Sequence, residues 1–139
     1  MPTPPSHPSL LMPLYNITSQ TGTLDASARE QLAMSITKLH VSLAGVPEDW
    51  VHICFQDYPD GHGFTAGRSA PVVAVTLTIR TGRSNEYKQR FLSELWRLVQ
   101  GATGAATEQI VLGMYEVPPS QAMEMGVVMP DVVSSDYAK

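Results

Sequence analysis

A single cysteine, Cys54, stands in the 139 residues, so no disulfide forms within the chain and no cluster of thiols offers a zinc site. Long apolar runs are missing too. No stretch of 18 apolar residues occurs, and no membrane span is expected. Basic charge is scarce: 9 Lys and Arg stand against 13 Asp and Glu, a formal net charge of −4. Without a broad positive field, no nucleic-acid partner is expected. The N-terminus lacks a basic segment followed by an apolar one, the mark of a secretory signal, so a cytoplasmic protein is expected. Hydrophobic residues make up 43% and charged ones 16%, as in an ordinary globular domain. At this length one domain is expected, burying roughly 68% of the surface its unfolded chain exposes.

Proline is concentrated at one end. Pro2, Pro4, Pro5 and Pro8 precede Leu10-Leu11, a composition that makes neither a helix nor a central strand. Residues 1–12 read as a proline-rich extension and 13–139 as the domain, with Leu10-Leu11 suited to anchoring the arm on a neighbouring subunit. Pro13 opens a strand over Leu14–Thr18, where proline is tolerated. A helix begins near Asp25 or Ser27; Ser27 and Glu30 have capping-box spacing. Leu32, Ile36, Leu39 and Leu43 form its buried stripe, and Gly45 and Pro47 stop it. Val51, Ile53 and Phe55 alternate with His52, Cys54 and Gln56, a half-buried strand. Asp57–Ser69 reads as a long loop.

Ile79-Arg80-Thr81-Gly82-Arg83-Ser84 organises the rest. It joins a strand, Val72–Ile79, to a helix over Asn85–Gln100 with Tyr87, Phe91, Leu95 and Leu98 on one side. Ser84 is a good N-cap and Glu86 suits the first turn. Two arginines therefore flank a turn at a helix N-terminus, where backbone N–H groups and the dipole already favour an anion. Their planar forks suit a carboxylate; the plainer reading is a solvated basic turn. Ile110–Tyr115 is the fourth strand, Pro118-Pro119 breaks it, Ser120–Met125 reads as a helical turn and Val127–Met129 as a short last strand.

The order is strand–helix–strand, twice, with an offset of about 58 residues. Each β-α-β unit is expected to hold its strands parallel, and the two units to form one four-stranded sheet with both helices on one face. The other face then needs cover, which an oligomer supplies.

This layout resembles the tautomerase superfamily, and within it the cis-3-chloroacrylic acid dehalogenase group. The matching pieces are Pro13–Leu24, Ile36-Thr37-Lys38-Leu39-His40, Arg80-x-Gly82-Arg83-Ser84, Glu116-Val117-Pro118 and Gln121-x-x-Glu124-x-Gly126. The resemblance implies a homotrimer that acts on small carboxylates without a cofactor. It implies that Pro13 is the catalytic amine, that His40, Arg80 and Arg83 bind substrate, and that Glu124 activates water. The family's tyrosine falls on Gly113; Tyr115, two residues on and on the same strand face, is its candidate substitute. The implied chemistry is enol–keto tautomerisation, or hydration of a cis-3-haloacrylate followed by loss of halide to malonate semialdehyde.

Pro13 as written follows Met12, and its nitrogen is then an amide with no basic lone pair. Three readings stay open. A start or processing at Met12 frees Pro13; Pro2 is the free amine on an arm folded into a site; or the protein has lost catalysis and binds small acids only. Plainer readings stand beside the site residues as well. His40 at a helix end could be a capping cation, and Glu124 a surface carboxylate. Asp60-Gly61-His62 and His52-Ile53-Cys54 have poor ligand spacing, so no metal is expected. Met114, Met123, Met125 and Met129 suit core or interface packing.

Overall fold

The computed structural model describes residues 13–129. The proline-rich extension and the residues after Met129 lie outside them. Four long strands form one mixed sheet in the order β2-β1-β5-β6, with β1 Pro13–Gln20, β2 His52–Tyr58, β5 Val73–Arg80 and β6 Ile110–Val117. β1 runs parallel to β2, and β5 to β6, while β1 and β5 meet antiparallel at the centre. Helices α1 (Ala26–Ala44) and α2 (Asn85–Thr103) cross between the parallel pairs and pack against each other. The expected two-unit architecture is therefore the fold.

Alternation decides which face is covered. Along β1, Pro13, Tyr15, Ile17 and Ser19 are buried; along β5, Val73, Val75, Leu77 and Ile79 are. These residues face the helices, and Tyr15, Ile17, Val73, Val75, Leu77 and Ile79 join Leu32, Ile36, Phe91, Leu95 and Val99 in one core. Each such side chain withdrawn from water contributes about 1.5–3 kcal/mol before entropy is counted. The opposite sheet face is only partly covered and exposes Val111 and Tyr115 on β6.

Several local expectations change. Asp25, not Ser27, caps α1, its carboxylate accepting from Ala28 N–H at 2.8 Å. The inward stripe of α1 is Leu32, Ile36, His40 and Leu43, with Leu39 only partly buried. α2 continues past Gln100 to Thr103, and Val99 rather than Leu98 fills the core. The third strand starts at Val73 and ends at Arg80, and the fourth runs on to Val117. Within the expected 57–69 loop, Phe64–Thr65 (β3) and Arg68–Ser69 (β4) pair as a hairpin. The expected helical turn at Ser120–Met125 is instead a 3-10 turn at Pro119–Gln121 followed by Met123–Glu124 (β7), which pairs with Val127–Val128 (β8). Met125 and Gly126 both take positive φ, 53° and 78°, as a two-residue hairpin loop requires. Met129 is buried beside Ala122, Trp50 and Val117, and Met114 is partly buried against the main core. Met123 and Met125 are exposed.

Candidate active site

Strand direction brings the candidate residues to one end of the sheet. Pro13 begins β1 directly opposite Ile79, and Arg80 is the next residue on β5. Facing residues in an antiparallel ladder have Cα atoms about 4.5–5.5 Å apart, so Pro13 and the β5 terminus are neighbours. Leu14 stands beside His52 at the start of β2, and Arg80 beside Val117 at the end of β6. α1 runs back to this end, bringing His40 there about one turn before it stops at Ala44; α2 departs from it after Arg83 and Ser84.

The second turn forms as its sequence dictates. Ser84 Oγ accepts from Tyr87 N–H at 3.1 Å and Glu86 lies in the first turn. Thr81 N–H donates to Val117 C=O at 2.9 Å, fixing the turn to the end of β6. The Arg83 guanidinium lies over the Tyr87 ring, 4.9 Å from its centroid, a cation–π contact that orients the fork. Arg80 is 2% exposed. Alternation along β5 sends its Cβ to the face away from the helices, whereas Arg83 leaves the chain on the helix side.

His40 is a core residue. It is 3% exposed, its Nδ1 lies 2.7 Å from Tyr15 Oη, and its ring packs edge-on to Tyr15 and tilted against Phe91 at 4.8 Å. Burial first, then the nearby Arg83 charge, push its pKa down to about 3. It is therefore neutral at ordinary pH, which overturns the reading of His40 as a capping cation. Tyr15 is held well above its ordinary value by burial and then by Tyr87. Burial also raises Tyr87, against the opposing pull of Arg83. Tyr15, His40, Tyr87, Phe91 and Arg83 thus form one cluster.

Glu124 sits on β7 with a side chain 12% exposed, its Oε1 4.0 Å from His52 Nε2. The β7–β8 hairpin lies across this same sheet end, because Ala122 and Met129 pack on both Val117 and Trp50. Lys88 on α2 pairs with Glu116 on β6 nearby. Gly113 and Tyr115 share the face away from the helices, opposite Thr76 and Thr78. A Cβ at Gly113 would lie 3.3 Å from the Tyr115 ring and 3.6 Å from its hydroxyl. The Tyr115 ring therefore folds back over the position the family tyrosine would occupy.

Sequence reasoning missed Tyr15 and Tyr87. The signals were present: Tyr15 is two residues from Pro13 on the same strand face, and Tyr87 is four residues from Arg83. Among the described residues, no three His, Cys, Asp or Glu side chains gather in a way that could hold a metal ion, and no helix is long and apolar enough to cross a membrane.

A family described as "Putative oxalocrotonate tautomerase enzyme" matches residues 12–139, so this chain belongs to that family, within the tautomerase superfamily. The solved structure of native Ps01740 is 33% identical, with a TM-score of 0.77, covering 80% of this chain and 99% of that one. The structure of N1, a member of the cis-3-chloroacrylic acid dehalogenase family, is 29% identical, with a TM-score of 0.79, covering 85% of this chain and 84% of that one. A fused 4-OT wild type symmetric trimer is 20% identical, with a TM-score of 0.76 over 84% of this chain and 95% of that one, and at that identity speaks for the fold alone. No curated protein matches the chain.

Proposed function

We propose that this protein is an enzyme acting on small unsaturated or keto carboxylic acids through the amine of Pro13, freed by a start or processing at Met12. The register carries the reading: Pro13 stands opposite Ile79, one residue from Arg80, at the sheet end where His40 and Arg83 also lie. The family match begins at residue 12, immediately before Pro13, which supports the start. The likeness to N1 supports the substrate class.

A free proline is a secondary amine that takes or gives a proton. Arg80 and Arg83 clamp the substrate carboxylate and draw charge toward it, and His40 donates to the same group. In tautomerisation, Pro13 carries a proton between the enol oxygen and the neighbouring carbon. With a cis-3-haloacrylate, Glu124 takes a proton from water as its oxygen bonds to C3, and the Pro13 ammonium protonates C2. The halohydrin then loses HX to give malonate semialdehyde. Glycine in place of the family tyrosine favours slow tautomerisation over dehalogenation, with Tyr115 a partial substitute. The exposed Val111 and Tyr115 on the open sheet face support a homo-oligomer, which we take as a homotrimer.

A second reading is a catalytically inactive homologue that binds small carboxylates. It is favoured by the sequence as written, in which Met12 acylates the Pro13 nitrogen. Mass spectrometry of the mature N-terminus, joined to assays of both chain forms on phenylenolpyruvate and cis-3-haloacrylates, separates the two. A chain beginning at Pro13 that alone turns over substrate supports catalysis. A mature chain that keeps the extension and is inactive, yet binds acids through Arg83, supports the second reading.

A further inference from the structure

We propose that Tyr15 is a positioning residue that fixes the tautomer of His40, so that the imidazole presents a neutral Nε2–H donor to the substrate carboxylate. The Tyr15 Oη and His40 Nδ1 atoms are 2.7 Å apart in a fully packed setting, with Tyr15 0% and His40 3% exposed. Among the described residues this is the one hydrogen bond that either side chain makes. Two placements of the hydrogens compete. If Nδ1–H donates to Oη, the phenol hydrogen is left in the interior without an acceptor, which costs the full desolvation of that group. If Oη–H donates to Nδ1, both atoms are satisfied and the ring proton resides on Nε2. The second placement is the one a buried pair adopts.

The rest of the cluster holds that state. Burial keeps the phenol protonated and the imidazole neutral, and a charged His40 would be repelled by Arg83. No buried side-chain nitrogen or oxygen among the described residues lacks a partner. Tyr15 takes the Nδ1 edge of the ring, so the Nε2 edge is the one left to present a proton. The site then meets a carboxylate with two cations and one neutral donor, so the third contact adds directionality without a further buried charge. The carboxylate half of this inference rests on the function proposed above; the tautomer half does not.

The test is a two-bond 1H–15N NMR spectrum of the histidine rings in the folded wild-type protein and in Tyr15→Phe, with no substrate present. We expect His40 in the wild type to be protonated at Nε2 and bare at Nδ1, and Tyr15→Phe to show a mixture of tautomers or the Nδ1–H form. Nδ1–H in the wild type, or a tautomer unchanged in Tyr15→Phe, overturns the proposal. If Tyr15→Phe fails to fold, the wild-type spectrum still decides. Titration with acrylate tests the second half: Tyr15→Phe should bind about five- to tenfold more weakly, and equal affinity contradicts the donor role. Acrylate that fails to bind even the wild type, with Nε2–H in place, removes the carboxylate reading of the site and leaves the Tyr15–His40 assignment standing.

Discussion

The two ends of the sheet are related by the repeat and are equipped differently: Arg80, Arg83 and a buried His40 stand at the first, and the second has the more exposed Arg29–Asp57 pair. The first half, β1-α1-β2, and the second, β5-α2-β6, keep an offset of about 59 residues throughout. Both helices have 19 residues, begin at a side-chain N-cap and end at a left-handed glycine, Gly45 or Gly104. Because the halves meet antiparallel, equivalent residues fall at opposite ends. Tyr15 and His40 correspond to Val75 and Val99, 1% and 0% exposed. Arg80, buried at one end, corresponds to Gln20, half-buried at the other. The second end has a cavity of about 360 Å³ lined by Gly22, Thr23, Val73, Thr103 and Gln109 among others, with no charged side chain. The frame therefore accepts two valines where the first end has a hydrogen-bonded tyrosine and histidine. The polar pair is not something this backbone demands, and a functional role is the simplest reason for it.

That contrast makes the sharpest variants paired ones. Arg80→Ala should lower turnover of a carboxylate substrate by about 100- to 1000-fold, a loss of roughly 3–4 kcal/mol of transition-state stabilisation. Gln20→Ala, its counterpart, should stay within about twofold in the same steady-state assay. Comparable losses from both would erase the distinction between the ends.

The buried pair should also make the first end sensitive to acid. His40 has a folded pKa of about 3 against about 6.5 in the unfolded chain. The unfolded state thus binds more protons between those values, so the contribution of His40 is complete above pH 6.5 and is lost as pH falls toward 3. Urea denaturation from pH 6 to pH 4 should show the wild type losing about 2–3 kcal/mol more than His40→Leu, at up to about 1.4 kcal/mol per pH unit. Carboxylates present in both proteins cancel in this difference. Parallel pH profiles would mean that His40 is not held neutral.

The smallest expected effect is a symmetric one. Gly45 and Gly104 have φ of 72° and 66°, and their N–H groups bond to Val41 and Gln100 C=O. Replacing either with alanine should cost about 1 kcal/mol, equally in the two halves, as read by thermal unfolding. A clear inequality would show that the halves differ in more than their chemistry.

Much of this was legible in the sequence because local rules and packing agree. The alternation of β1 and β5, the Ser84 cap and the Arg80–Arg83 turn are set by neighbours in the chain. The sequence leaves the N-cap of α1 between Asp25 and Ser27, because both are good caps. Asp25 takes the position, with Leu24 buried before it and Arg29 Nη1 donating to Leu24 C=O at 2.9 Å. The long loop concealed a hairpin because its strands have two residues each, too few for periodicity to register. His40 was placed in the site from resemblance, but not on the buried stripe, because Leu39 is the more hydrophobic choice at adjacent spacing. Its tie to Tyr15 spans 25 positions and exists only once α1 lies on β1, so no local pattern announces it.

The proposed chemistry requires an unblocked Pro13 nitrogen beside two guanidinium groups. This is tested most directly by measuring phenylenolpyruvate turnover for a chain that begins at Pro13, for the same chain retaining Met12, and for the Pro13-start chain with Arg80→Ala. We expect activity in the first and little in the other two. Equal rates in all three would contradict that chemistry.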